Sequence, residues 1–542
     1  MGFLLSLLAL NSRCQHTQLS MSNDFKIAEN EYKDQTVGHS VYYNNSFYTA
    51  TNSGIGGNYK WAFTKLYDLK YAVTISRFDR NMNKTKDLEL ENGEKIFGPL
   101  PPELILLDNK LCLVYFQSSN KTSFDLYLAL VDDESLTLRQ PKKICTLQQE
   151  NVGIFKLESV LNAGLVYLTS SADHMKTLIA CNASPNALQT FVLDNDLNIL
   201  KQSVLRSNTS GFTISSAVLT NDKMECLVLQ SDQETKIICN SIDGKKTEMR
   251  LNQSAKFFPY ATNVSTSRDG KNLYIYSTSS FPGDNDKNCN GLLFWQLDCN
   301  SLKLSRPLTY EFSPEVIEKI SEKGGGTKHK KEYFMYNFVP HLVELENGDL
   351  AIMGSAQKTS KYSYNSATNM NNQTHVVAVT TLDVGPVMAF FLDKGGKTFD
   401  YVLIPRTIIL SRGATSGSGV IQMVQSPSIS HSYSNFTTSS LGNEIIVIYN
   451  DEEENLKRDV EEKIVEAHST KNLVLAEALI NKDKKLEYRK QIGENANGRY
   501  TYFLGNTVQS ASSLIVFPLA KQGDGFNARK TIYSNWCFLD IR

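Results

Sequence analysis

From Tyr71 to the C-terminus the chain repeats one pattern: an apolar alternating run, a turn built on Asp or Asn, and a more polar second run. The copies are YAVTISRFDRNMNKTKDLEL, LYLALVDDESLTLRQPKKI, LQTFVLDNDLNILKQSVL, TKIICNSIDGKKTEMRL, GLLFWQLDCNSLKLSRPL, VMAFFLDKGGKTFDYVLI and LVLAEALINKDKKLEYRKQI. Their turn residues are Asp79, Asp132, Asp194, Asp243, Asp298, Asp393 and Asn481. A period of two turns one face of each run inward, and Asp or Asn closes a tight turn by accepting bonds from nearby backbone N–H groups. Each copy therefore predicts a β-hairpin. Most are preceded by further apolar runs, among them KLCLVYF, GLVYLTSS, ECLVLQ, NLYIYSTSS, DLAIMGSA and NEIIVIYND.

Four short strands per roughly 50 residues is the unit of a propeller blade. One twisted sheet cannot cover both of its faces, whereas radial packing buries them. The expected fold is all-β, a β-propeller of about seven four-stranded blades, or eight, closed by N- and C-terminal strands. Residues 501–541 supply about three further strands, and a strand near Asp24–Tyr32 or Val37–Thr49 is expected to complete that last blade. A row of β-sandwiches shares the strand spacing. The recurrence of the hairpin at a blade-sized interval favours the propeller.

The domain reading is an export signal over residues 1–20 and a single propeller over 24–542, interrupted by three insertions. Residues 313–333 read as a short helix and a basic glycine loop. Residues 358–373 are polar and Asn-rich, and 451–469 form an acidic loop or small solvated helix. Long excursions on a rigid scaffold are where binding residues concentrate, so these three form the candidate surface, with tolerated surface loops as the competing reading.

Composition changes this picture little, except in what it excludes. Fifty-six basic and 57 acidic residues give a net charge of −1, so there is no basic field to neutralise phosphates and nucleic acid is not an expected partner. The apolar run Met1–Leu10 is too short to span a bilayer and reads as a signal core, which places the protein in the periplasm, at the outer membrane or outside the cell. No transmembrane-length apolar stretch follows, so no integral membrane segment is expected after signal removal. Arg13 directly before Cys14 argues against lipidation at that cysteine.

The nine cysteines contain no C-x-x-C pair, which removes the usual zinc and redox motifs. Cys226 and Cys239 flank a run that folds back on itself about residues 232–233, which places them opposite each other in a hairpin and within disulfide range. Cys289 and Cys299 bracket a strand of about 33 Å and cannot bridge.

The chain resembles a family of uncharacterised exported proteins of Bacteroidota. The residues that carry the resemblance are the repeated hairpins of the type FVLDNDLNIL, then ENGDLAIMGSAQKT, FFLDKGGKTFDYVLIPR and EIIVIYNDEEENL. Ile404-Pro405-Arg406 and Tyr449-Asn450-Asp451 stand where that family has an "I-P-K" strand and a "YND" strand end. The resemblance implies a propeller-like fold and an exported location, and it implies no activity.

Searches for nucleophile elbows, zinc-protease helices, P-loops and dinucleotide fingerprints find none. Asp286, Asn288 and Asn290 match the start of a calcium loop, but Leu297 stands where the bidentate Glu belongs, and a plain hairpin turn is the competing reading. No other cofactor is expected. His341, His375 and His431 fall near strand ends of the sixth and seventh repeats and, with Arg406 and Tyr449, are candidates to converge on one face; packed or exposed histidines are the alternative. The functional expectation is a non-catalytic binding or scaffolding propeller of the bacterial cell envelope that recognises a protein or surface glycan through loop-face insertions. A propeller hydrolase or lyase acting on a glycan or peptide in the central pocket is the alternative.

Overall fold

A computed structural model describes the chain from 17 to 541. Its longer omitted intervals are 22–24, 27–35, 55–70, 80–82, 91–101, 119–122, 149–165, 207–211, 252–257, 281–288, 324–339, 368–373, 393–398, 417–435, 469–472, 494–499, 503–507, 511–513 and 522–532, and several omitted turns are one or two residues long. The described strands form eight antiparallel sheets in chain order, and seven of them are built wholly from four or five consecutive strands. Blade 1 runs from Thr36–Tyr43 through Ser46–Gly54 and Tyr71–Phe78 to Lys84–Leu90. Blades 2 to 7 repeat this meander, and the eighth takes its inner strands from the C-terminus.

Closure follows from how the blades touch. The first strand of blade 1 packs on that of blade 2, Glu103–Leu107, and the first strand of blade 4, Thr213–Leu219, touches those of blades 3 and 5. Blade 5 packs on blade 6 and blade 7 on blade 8 through apolar seams, the first strands of blades 6 and 7 touch, and Val508–Ser510 in blade 8 returns to Thr36–Tyr43 in blade 1. The eight sheets therefore form a ring, with first strands innermost. Thr17–Met21 pairs along Tyr533–Ile541 with Thr17 opposite Ile541, so the N-terminal strand supplies the outer edge of the last blade. Phe25–Lys26 adds to the same edge. The segment at 37–49, one of the two expected closing strands, instead opens blade 1.

The core lies in the seams. Between blades 2 and 3, Phe124, Leu126, Leu128 and Ile144 pack on Val166, Ile179 and Phe191. Between blades 5 and 6, Leu292 and Phe294 meet Ile352 and Phe390, and α1 (Pro314–Lys323) inserts Val316 and Ile320 there. Side chains at alternate positions along a strand face opposite seams, so each sheet is apolar on both faces.

The turns show why the repeat is so regular. Asp194 Oδ1 accepts bonds from the backbone N–H of Asp196 and Asn198, and Asp298 Oδ1 does the same for Asn300 and Ser301. Asn481 Oδ1 accepts from Asp483 and Lys485, and Asp79 Oδ1 from Asn83. Asp243 and Asp393 lie outside the described residues. In three of the hairpin turns a leucine takes the left-handed conformation, Leu136 at φ +48°, Leu197 at φ +62° and Leu302 at φ +54°, and the first two are fully buried in the seams with the preceding blades. The steric cost of about 1–2 kcal/mol is offset by roughly 1.5–3 kcal/mol from burying the side chain.

Antiparallel pairing then divides the connections between two faces. Links between first and second strands, and between third and fourth, share one face. Links between second and third strands, and the crossings to the next blade, share the other. On the first face the turns of successive blades are stitched together: Asn44 donates to Asp133 at 2.8 Å, Lys110 to Asp196 at 2.9 Å, the Asp173 N–H to Asn221 at 2.9 Å, and the Asn347 N–H to Asn443 at 2.8 Å. The longest connections, 55–70, 149–165, 312–340, 405–435 and 453–472, all leave from the second face.

Candidate functional site

The second face is most elaborate over blades 6 and 7. The segment at 358–373, expected as a polar loop, is largely a projecting hairpin. Leu350–Ala367 pairs with Thr374–Leu392 from Leu350↔Leu392 to Ala367↔Thr374, well beyond the ordinary blade length. Ile408–Ser416 pairs with the distal half of that second strand, from Ile408↔Val384 to Ser416↔Val376. The extension is thus three-stranded. Alternating Lys, Ser, Tyr and Asn in KTSKYSYN, facing THVVAVTTL, satisfies strand periodicity despite its polar appearance.

At the root of this extension lies a buried polar cluster. Arg406 follows the outermost strand of blade 6, Phe399–Ile404, and has no exposed surface. Its Nε donates to Gly385 O at 3.1 Å and its Nη2 to Ser355 Oγ at 3.0 Å. Its guanidinium lies 5.9 Å from the centre of the Tyr449 ring. Tyr449 and Asp451 end the second strand of blade 7, Glu444–Glu452, and are equally buried.

Asp451 Oδ1 accepts from Asn455 Nδ2 at 2.9 Å and from the Glu452 N–H at 2.8 Å. Asn455, in α2 (Glu453–Leu456), clasps Val465: its Nδ2 donates to Val465 O at 3.0 Å and its Oδ1 accepts the Val465 N–H at 2.7 Å. Arg489 donates to Pro405 O at 3.3 Å and to Arg458 O at 3.1 Å. The acidic 451–469 segment forms the small helix expected, with Glu453 and Glu454 open to solvent, while Asn455, Ile464 and Ala467 fold down onto the cluster and Ala467 bridges Ile408.

Burial dominates the electrostatics here. It pushes the Asp451 carboxyl up to about 6, against the opposing pull of Asn455, Arg489 and Arg406. It pulls the Arg406 guanidinium down to about 10, and it raises the Tyr449 phenol. A charged group moved out of water favours its neutral form, which accounts for all three directions. With no exposed surface, these side chains anchor the insertions and present nothing to an external ligand.

The sequence-selected residues separate accordingly. Arg406 and Tyr449 are brought together. His341 lies apart from them, on the innermost strand of blade 6, with its Nε2 3.1 Å from Thr438 Oγ1 on the innermost strand of blade 7. Its surface is open to solvent, while the protein packed around it disfavours the charged imidazole and lowers its value. His375 is placed in the projecting hairpin opposite Ser366, and His431 lies outside the described residues. Of the calcium-loop candidates, Asp286 and Asn288 lie outside the described residues. Asn290 is buried and accepts from Ser279 Oγ at 2.8 Å. Among the described residues no group of three or more His, Cys, Asp or Glu is placed to hold a metal.

Cys226 and Cys239 are directly opposed in blade 4, with Cα atoms 4.3 Å apart, and their sulfurs are bonded. Sequence reasoning did not single out Ser355, Asp451, Asn455 or Arg489 as site residues. A usable signal was the acidic pair closing the apolar run EIIVIYNDE, since a carboxylate in line with buried strand positions needs partners.

No family model matches the chain, and no curated protein matches it. Several solved structures are similar in fold. A protein of unknown function from Bacteroides caccae shares 11% identity over 67% of this chain and 89% of its own, with a TM-score of 0.25. A putative 6-phosphogluconolactonase from Bacteroides fragilis shares 12% identity over 78% and 91%, with a TM-score of 0.33. The WD40 domain of SCAP from fission yeast shares 9% identity over 78% and 95%, with a TM-score of 0.30.

Proposed function

We propose that this propeller is a non-catalytic binding scaffold of the cell envelope, exported from a bacterium, which engages a protein or surface glycan through the face that carries its insertions. The observation that carries the reading is the division of the connections. One face is a stitched ring of short turns, while the other raises the three-stranded extension of blade 6 and the longest links. Loops held on a rigid frame bind with little ordering cost, and a buried polar root restricts how they move.

Export is supported by the buried Cys226–Cys239 bond, since structural disulfides persist in oxidising compartments. The IPR and YND segments support grouping the chain with the exported Bacteroidota proteins it resembles. No helix among the described residues is long and apolar enough to cross a membrane.

The test is a binding screen of the full chain against purified envelope polysaccharides and envelope proteins. A variant in which residues 365–376 are replaced by Asn-Gly joins Tyr364 to Val377, which already face each other, and removes the tip of the extension. Micromolar binding by the full chain that weakens at least tenfold in the trimmed variant, at unchanged Tm, is the expected result. Absence of binding across the panel overturns the reading, and turnover of a panel member replaces it with the hydrolase or lyase alternative.

A further inference from the structure

Blades 2 and 3 share a second sulfur pair. Cys145 lies on the outermost strand of blade 2, Lys142–Gln148, and Cys181 on the second strand of blade 3, Lys176–Ser184. Their Sγ atoms are 3.7 Å apart, and both side chains are buried in the apolar seam between the blades. A disulfide needs a separation of about 2.05 Å, so the pair stands about 1.7 Å from bonding distance. The strand carrying Cys145 has a register shift between Lys143 and Cys145, where the ladder is already irregular and a small displacement disturbs little. Cys112 and Cys289, also buried, instead lie against backbone carbonyls, of Leu113 and Gly291 respectively.

We propose that Cys145 and Cys181 form an inter-blade disulfide when the protein meets a small disulfide such as oxidised glutathione. One thiolate attacks the small disulfide, giving a mixed disulfide and one released thiol. The second thiolate then attacks the protein sulfur of that mixed disulfide and releases the other thiol. The two cysteines lose two protons and two electrons between them, and the small disulfide takes them up.

Contact with Cys145 and burial both raise the Cys181 thiol in the closed seam, so exchange proceeds through opening of the seam or before the ring closes. The bond would tie covalently two blades that the described residues otherwise join by packing, hydrogen bonds and the Lys110–Asp196 ion pair. Cys226–Cys239 differs in kind, because it lies within one blade.

The full chain is equilibrated in glutathione buffers from fully reduced to fully oxidised, with and without sub-denaturing urea to open the seams. It is then alkylated in denaturant and mapped by mass spectrometry without reduction. A Cys145–Cys181 cross-linked peptide that appears with oxidation and is lost on reduction is expected. A double variant, Cys145→Ser with Cys181→Ser, is expected to melt at least about 5 °C below the parent in oxidised buffer and within about 2 °C of it in reduced buffer. The Cys226–Cys239 bond reports that oxidation has reached the interior. If it is formed while Cys145 and Cys181 are both recovered alkylated, with urea present, the proposal is overturned. An equal loss of Tm in both buffers would likewise reduce the pair to a packing contact.

Discussion

Lys201 Nζ lies 2.8 Å from Glu225 Oε1 across the seam between blades 3 and 4, with Glu225 only 1% exposed. Thr190 Oγ1 donates to the other carboxylate oxygen at 2.9 Å. A carboxylate buried this deeply depends on its partner, because removing one member leaves an uncompensated charge. Lys201→Met is expected to cost about 3 kcal/mol in urea unfolding. The double variant Lys201→Met with Glu225→Gln is expected to recover at least half of that. Additive losses in the two single variants would show that the pair does not interact.

Asp451 makes stability depend on pH in the direction opposite to an ion-paired carboxylate. Its folded value of about 6 stands above the 3.8 of a free aspartate, so its contribution is fully present below about 3.8 and is lost as pH rises through 6. That difference corresponds to roughly 3 kcal/mol. Asp451→Asn keeps an acceptor for Glu452 and Asn455 but has no proton to lose. The stability of the parent relative to this variant is therefore expected to fall by that amount between about pH 3 and pH 7. A difference that stays flat over this range would place Asp451 at an ordinary carboxylate value.

Gly291 begins the third strand of blade 5 opposite Glu311, and a Cβ there would stand 2.1 Å from Tyr310 O. The obstacle is backbone, so no side-chain rotation relieves it. Gly291→Ala is expected to destabilise by about 3 kcal/mol or more, through displacement of the outermost strand. Thermal unfolding would show the loss, and a variant within about 0.5 kcal/mol of the parent contradicts the close approach.

Leu197 combines a left-handed backbone with a buried side chain. Leu197→Gly relieves about 1–2 kcal/mol of steric cost but forfeits packing worth about 2–5 kcal/mol. A net loss of about 1–3 kcal/mol is expected from chemical denaturation, and a gain would mean that strain outweighs burial at this turn.

The hairpins were legible because both of their determinants are local. Alternation in LQTFVLD and the reach of Asp194 to the next few N–H groups are properties of adjacent residues. The opposition of Cys226 and Cys239 follows from the same short-range geometry. The projecting hairpin was misread as a loop because polar residues on both faces weaken the apolar signal, although the period of two is present. Arg406 and Tyr449 were selected together, and the structure joins them. Their selection did not reveal that they are sealed from solvent, since burial depends on the segments folded over them.

What the linear chain settles alone is the unit: the hairpin, its turn chemistry and an inner face for each sheet. These arise from bonds and sterics that act within a few residues. Tertiary packing decided the rest: the return of Thr17–Met21 to the last blade, the Arg406–Tyr449–Asp451 cluster, and the contact of Cys145 with Cys181. Such partners lie in different repeats or at opposite termini, and they meet only because each blade must bury its apolar faces against its neighbours.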